Sequence, residues 1–239
     1  MGTLTVGNPK CLVRLAGRSL FDWQLAALRA AGCSEIAVVG GYLAEQLEIP
    51  GIRTFHNEEW ATTNMVASLL CAGDWFDRSP VVVSYSDIVY RPQIVCALLE
   101  AAGDPVITFD REWRSLWSER FEDPMLDAES FAIDANGRLI DIGRRGARLE
   151  EVAGQYMGLL RIGPEMFDRI ESLTRSLASD ELVRLDMTAL LRRLMSAGIS
   201  IQTVAVDGGW CEVDSVEDLE KYEARLASSG HWSHDFRWE

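Results

Sequence analysis

Lysine is nearly missing from this chain: Lys10 and Lys221 are the only two, and every other cation is arginine. Arginine serves wherever positive charge alone is wanted, so a retained lysine points to a place that needs a compact ammonium. Lys221 lies in a polar C-terminal stretch and reads as solvated surface, a context Lys10 lacks. Histidine is as scarce. His56 follows a predicted strand and His231 and His234 lie near the C-terminus, so none stands where proton-transfer chemistry would use it. The five cysteines are odd in number and scattered, with no C-x-x-C pair, which argues against a disulfide framework or a zinc knuckle and for buried free thiols. Positive charge is in deficit: a formal net charge of −14 repels nucleic acid, while leaving small anions open as ligands of a local cation or metal. Bilayer-length apolar runs and a signal-peptide pattern are lacking too, so no membrane partner and a cytoplasmic protein are expected. No Gly-, Ser- or Pro-rich linker divides the chain. It reads as one domain over 1–228, with a tail over 229–239 that is expected to be poorly ordered.

What remains is an alternation of short β-branched runs with amphipathic stretches, the pattern of an α/β fold with a mostly parallel sheet. Strands are predicted over 35–40, 52–55, 80–86, 105–109, 155–162 and 200–206, and helices over 19–31, 64–72, 92–102, 164–173 and 181–197. Asn136-Gly137 predicts a hairpin turn between 130–134 and 138–142. Ser215 predicts an N-cap, with Glu217 and Asp218 in the first turn of a last helix.

Two places carry chemistry. The run Val81-Val82-Val83-Ser84-Tyr85-Ser86-Asp87 ends a buried strand in a carboxylate, at the rim where open α/β sheets bind ligands. Asp87 reads there either as a ligand to a metal or nucleotide or as a cap of the following turn. In Trp210-Cys211-Glu212-Val213-Asp214, two acids at alternate positions share one face of an extended segment. Carboxylates from separate segments meeting at one rim are how a protein offers oxygen to Mg²⁺.

The ordered set Asn8-Pro9-Lys10-Cys11-Leu12, Val38-Val39-Gly40-Gly41-Tyr42, Asn64-Met65, Tyr85-Ser86-Asp87, Gly154-Gln155-Tyr156-Met157-Gly158 and Glu212-Val213-Asp214 resembles the phosphocholine cytidylyltransferase-like group of the nucleotidyltransferase superfamily. It spans nearly the whole chain. The resemblance implies a three-layer α/β/α, Rossmann-like nucleotidyltransferase fold with a mixed sheet. It implies transfer of CMP from CTP to a small phosphate- or phosphonate-bearing acceptor, with Mg²⁺ as cofactor. Asp87 and Asp214 are then metal ligands, Glu212 a further ligand, and Lys10 a phosphate cation. Asn64, Ser68 and Tyr85 fall on the nucleotide side, although Asn64 reads equally as a helix cap. Trp113, Trp117, Arg120, Asp127, Glu129, Gln155 and Tyr156 fall on the acceptor side. The two tryptophans also read as ordinary core, one turn apart on a helix.

The group resembled begins with a strand and a G-x-G-x-R loop that cradles phosphates. Here Gly2-Thr3-Leu4-Thr5 matches only the end of that loop, so a strand and turn, on the order of 20 residues, are expected to be absent, leaving two strand edges unpaired and little transferase activity. Two alternatives stand beside this reading: a sugar-1-phosphate nucleotidyltransferase using another nucleotide, and a degenerate nucleotide-binding protein without catalysis.

Overall fold

The structure, a computed structural model, describes residues 5–238; Gly2, Thr3 and Leu4 of the expected loop end lie outside the described residues. A 3₁₀ turn at Lys10–Leu12 precedes the first strand, with Leu12 and Val13 donating to the carbonyls of Pro9 and Lys10. The short strands β1 (Arg14–Leu15) and β2 (Arg18–Ser19) lead directly into helix α1 (Leu20–Ala30), where the Ser19 hydroxyl caps the N-terminus by accepting from the Asp22 amide. Next come β3 (Ala37–Gly40), β4 (Arg53–His56), α2 (Met65–Cys71), β5 (Val81–Ser84), β6 (Ile88–Tyr90), α3 (Pro92–Glu100), β7 (Val106–Asp110) and α4 (Trp113–Arg120). The second half contains β8 (Glu129–Ile133), β9 (Leu139–Arg145), β10 (Gln155–Ile162), α5 (Pro164–Arg175), α6 (Ser179–Leu182), α7 (Met187–Ser196), β11 (Gln202–Val206), β12 (Trp210–Glu212) and α8 (Val216–Ala227).

The main sheet has the order β11-β7-β10-β5. β11 is parallel to β7, and β10 is antiparallel to both β7 and β5, so three of the four strands share a direction. Alternate residues feed opposite faces, as strand periodicity requires. Val106 and Leu159 join the apolar cluster under α1, α3 and α4, while Ile107 and Leu160 join the cluster under α2, α5 and α7. β3 and β4 form a separate parallel pair. Among the described residues one edge of β3 and one edge of β5 have no ladder partner, and Val38, Val39 and Val81 to Val83 are only half-buried there.

The long helix expected over 181–197 is two helices. Asp186 breaks it by accepting from the Ala189 amide at 2.7 Å, a fresh N-cap that starts α7. The expected hairpin forms, with Gly137 at φ +72° and the Asp134 carboxylate accepting from the amides of Asn136 and Arg138. All five cysteines are free; Cys11 and Cys211 are buried, but Cys71 is exposed rather than buried as expected. No helix among the described residues is long and apolar enough to cross a membrane.

The tail is the largest departure. Rather than hanging loose, its side chains alternate in burial: Trp232, His234 and Phe236 point inward, and Trp23 receives the edges of Phe236 and Trp238 at 5.1 and 5.6 Å. The Ser233 carbonyl accepts from the Gly209 amide at 2.8 Å, which fastens the tail to the loop before β12.

Candidate active site

Asp87 sits on the turn between β5 and β6, and the sequence fixes that turn from behind. The buried Gln24 amide of α1 donates to the carbonyls of Tyr85 and Ile88 at 3.0 and 2.7 Å. The Tyr85 ring lies on Gly158 of β10, where a Cβ would come within 2.5 Å of it and where φ is +77°, so only glycine fits. β12 pairs antiparallel with β6 in a register that sets Glu212 against Ile88, and the Val213 amide donates to the Asp87 carbonyl at 2.9 Å. This one ladder brings residues some 125 positions apart into a common rim. Asp87, Glu212 and Asp214 each offer a carboxylate oxygen within 4.8 Å of the others.

Two cations close the cluster. The Lys10 ammonium donates to Asp87 Oδ2 and Asp214 Oδ1, both at 2.6 Å. Its turn is held in place from β3's side, where the Tyr42 hydroxyl accepts from the Gly7 amide and Gln46 donates to the Gly7 carbonyl. From below, the Arg120 guanidinium reaches Glu212 Oε2 at 2.7 Å, Asp214 Oδ2 at 2.6 Å and Asp218 Oδ1 at 3.3 Å. Asp218 in turn accepts from the amides of Asp214 and Ser215, completing a reciprocal cap with the Ser215 hydroxyl at the start of α8.

The electrostatics follow from burial set against these partners. At Lys10, burial pulls the ammonium down, but Asp87 and Asp214 outweigh it and the net shift is upward. At Asp214, burial pushes the carboxyl up, and the hydrogen bond and charge of Lys10, joined by Arg120, bring it below its ordinary value. Glu212 goes the other way, lifted to about 8 by burial and by the charges of Asp87 and Asp214 in spite of Arg120. Arg120 is raised: burial works against its charge, and Glu212 and its neighbours overcome it. One atom has no counterpart at all. Asp87 Oδ1 is buried and makes no hydrogen bond, a costly condition for a carboxylate oxygen. Three carboxylates and no sulfur or imidazole, with one oxygen of Asp87 unpartnered, make a donor set that suits a hard divalent cation.

Several expected residues do other work. Trp113 and Trp117 are core, 4 % and 5 % exposed, with Trp117 donating to Asp127 at 3.2 Å, so an acceptor reaches neither ring. Arg120 is equally hidden and spends its donors on the acids, so it is not an acceptor clamp. Asn64 is a helix cap: it accepts from the Met65 amide at 2.8 Å and donates to the Arg184 carbonyl. The Ser68 hydroxyl accepts from the buried Asn57, which also holds Thr63. Glu129, Gln155 and Tyr156 do come together, lining a small cleft with Ser130, Phe131, Ile142 and Thr188. Gln155 pins β8 to β10 by donating to the Glu129 carbonyl at 2.6 Å and accepting from its amide. Tyr156 meets the edge of Tyr85 at 5.9 Å, which connects this cleft to the Asp87 turn.

Asp218 was visible in the sequence as a first-turn acid but not as a floor of the site; the Ser-x-x-Asp spacing is the signal that gives it a second partner. The buried group formed by Asp110, Trp210 and His234 carried no such signal. Asp110 accepts from the Trp210 indole at 3.0 Å, from His234 Nε2 at 2.8 Å, and from the amides of Glu112 and Gly208.

Known proteins resemble this chain in sequence and in fold. Residues 1–184 match the MobA-like NTP transferase domain. A CTP:phosphoglutamine cytidylyltransferase of Campylobacter jejuni is 34 % identical over 233 residues, covering 91 % of this chain and 92 % of that protein. A 2-aminoethylphosphonate cytidylyltransferase of Lancefieldella rimae is 26 % identical, covering 64 % of this chain and 60 % of that protein. The solved structure of the CTP:phosphocholine cytidylyltransferase from Streptococcus pneumoniae superposes with a TM-score of 0.72 at 21 % identity, covering 95 % of this chain and 93 % of that one, and so shares its fold. The match over residues 1–184, with a relative 34 % identical along nearly its full length, establishes that this chain belongs to the MobA-like NTP transferase family.

Proposed function

We propose that this chain transfers CMP from CTP to a small acceptor bearing a phosphate or phosphonate, with Mg²⁺ held by Asp87, Glu212 and Asp214. The observation that carries the reading is the meeting of positions 10, 87 and 214 at single ion-pair distances. The relatives named for phosphoglutamine and 2-aminoethylphosphonate support the acceptor class.

An acceptor oxygen attacks the α-phosphorus of CTP, the bond from that phosphorus to the bridging oxygen breaks, and pyrophosphate leaves with the electron pair. A phosphate monoester oxygen is already ionised near neutral pH. No general base is needed, in keeping with a site that lacks histidine. The work left to the protein is positioning and charge neutralisation. Bound Mg²⁺ supplies neutralisation of the phosphate oxygens. Asp87 has an oxygen to spare, Arg120, braced by Asp218, holds the Glu212 and Asp214 carboxylates in place, and Lys10 offers the mobile positive charge. Tyr85 and Tyr156 lie between this rim and the cleft lined by Glu129 and Gln155, which we assign to the acceptor.

The test is pyrophosphate release from CTP, UTP, GTP and dTTP, each with phosphocholine, 2-aminoethylphosphonate, phosphoglutamine and glucose 1-phosphate. CTP with a phosphate- or phosphonate-bearing small acceptor is expected to turn over, and Asp87→Asn to lower the rate by at least about a hundredfold. Preference for another nucleotide with the sugar phosphate would replace this reading with a sugar-1-phosphate transferase. CTP binding with no release under any pairing would make the chain a binding protein.

A further inference from the structure

Among the described residues Lys10 and Arg120 both touch the acid cluster, and they differ in how firmly they are held. Arg120 has a side chain only 2 % exposed, packed over Trp117 and Phe121 with its guanidinium 5.3 and 5.1 Å from their ring centres. Lys10 is 28 % exposed and sits at the open side, on a flexible four-carbon stem. Their division of the carboxylate oxygens is the telling point. Asp214 gives Oδ2 to Arg120 and Oδ1 to Lys10, both at 2.6 Å. Arg120 cannot leave its pocket without taking from Glu212 its ion-pair partner and leaving the buried Asp218 only backbone amides. The Asp214 oxygen available to a metal is therefore Oδ1, the one Lys10 holds. If metal and ammonium shared it, two positive charges would be held within a few ångströms of each other on a single oxygen, and their repulsion would weaken both contacts.

Charge count leads to the same place. Among the described residues four carboxylates, of Asp87, Glu212, Asp214 and Asp218, gather around the two cations Lys10 and Arg120, an excess of acid in the fully ionised cluster. A divalent cation matches that excess, but it needs the oxygens themselves and not merely the net charge.

Resting on the metal reading above, we propose that Lys10 and the divalent cation exchange: the ammonium is an internal counter-ion of Asp87 and Asp214 that the metal displaces on binding, while Arg120 stays as the fixed charge that keeps Glu212 and Asp214 aimed. Metal binding then releases Lys10 toward an anionic ligand, so that the phosphate cation becomes available only once the metal is in place. Arg120 is on this view a positioning residue, and Lys10 has two alternative partners.

The consequence runs against ordinary expectation, because removing a site residue should strengthen metal binding. Mn²⁺ affinity is measured on the protein without nucleotide, by the loss of the free-ion electron paramagnetic resonance signal, for the wild-type chain, Lys10→Met and Asp87→Asn. Lys10→Met is expected to bind Mn²⁺ about tenfold tighter, the exposed pairs it loses being worth that order. Asp87→Asn is expected to bind far more weakly. In parallel, the chain's two lysines give two side-chain ammonium signals after ¹⁵N-lysine labelling, with Lys221→Arg assigning them, and Mg²⁺ is expected to move the Lys10 signal with the same affinity. If Asp87→Asn weakens binding while Lys10→Met leaves it unchanged or weaker, or if saturating Mg²⁺ leaves the Lys10 signal in place, the exchange is wrong and the metal site stands. If Asp87→Asn binds Mn²⁺ like the wild type, or if none of the three binds it, the metal reading fails and the exchange with it.

Discussion

Asp87 and Asp110 make an instructive pair. Each comes at the end of a strand rich in β-branched residues, half-buried before Asp87 and fully buried in β7 with Asp110, and each meets the segment around β12. Asp110 is fully enclosed and its two oxygens take four donors, from Glu112, Gly208, Trp210 and His234. Asp87 has one oxygen on Lys10 and the other on nothing. A buried carboxylate with every lone pair engaged is a structural knot. One left half-engaged beside two other acids is under-stabilised in the folded state, and that is the mark of a group held ready for a ligand.

The sharpest way to break the comparison is to replace each aspartate by asparagine and measure unfolding in urea. Asp110→Asn turns an amide group toward donors that need an acceptor and leaves His234 or the Trp210 indole without one; the expected loss is about 3–5 kcal/mol. Asp87→Asn removes one partner from a half-exposed ammonium that keeps Asp214, so the expected loss is under about 1 kcal/mol. A larger loss at 87 than at 110 would reverse the two roles. A somewhat smaller effect tests the strap that holds the knot. Phe236→Ala empties a fully buried site against Trp23, and because a tail segment relaxes more readily than a strand, the expected cost is near the low end for such a change, about 3 kcal/mol. No loss would return the tail to the loose state its composition suggested.

Why that composition misled is physical. Trp232, His234, Phe236 and Trp238 recur at every second position, the period of an extended chain with one face buried, and this signal was present in the sequence. It was masked because Ser, His, Asp and Arg fill the alternate positions and no ladder partner is legible locally. Asp110 had the same difficulty: its partners lie about 100 and 124 positions away, and nothing near it in sequence points to them. The strands and the site fared better for the opposite reason. The valine run before Asp87 and the alternation around Glu212 and Asp214 are local patterns, and they convey both the element and the outward-facing acid. Trp113, Trp117 and Arg120 show the limit of such reading, since helical spacing puts them on one face but does not say whether that face meets a ligand or the core. Here it meets the core, and the arginine goes under the acids.

Arg120 supplies the next prediction, because it belongs to both kinds of environment: buried like the knot, yet in contact with the site. Arg120→Met keeps the packing on Trp117 and Phe121 and removes the charge. The half-buried Glu212 then has no cation and the buried Asp218 keeps only its backbone amides, but Glu212, already lifted to about 8, relieves part of the cost by staying protonated. The expected loss is about 2 kcal/mol without added cation, measured by thermal or urea unfolding, with a divalent cation restoring part of it. Failure of the cation to restore any stability would separate Arg120 from the metal site.

The smallest expected effect lies in a third kind of carboxylate, partly exposed but fully engaged. Glu151 accepts from the Arg148 amide and side chain and from Arg144. The backbone hydrogen bond from Arg148, then the Arg144 and Arg148 side chains, hold its carboxyl down to about 2, against an ordinary value of 4.5. A depressed acid contributes stability above its ordinary value and loses that contribution as pH falls through the folded one. Stability curves for wild type and Glu151→Gln should therefore be separated at neutral pH, with wild type the more stable, and should draw together between about pH 4.5 and about pH 2. Because the group is open to water, the separation should also shrink in high salt. Asp110→Asn should show no such salt dependence, its partners being shut away from ions. If the two variants respond to salt alike, then enclosure is not what distinguishes the knot from the surface, and the contrast between Asp110 and Asp87 would need another cause.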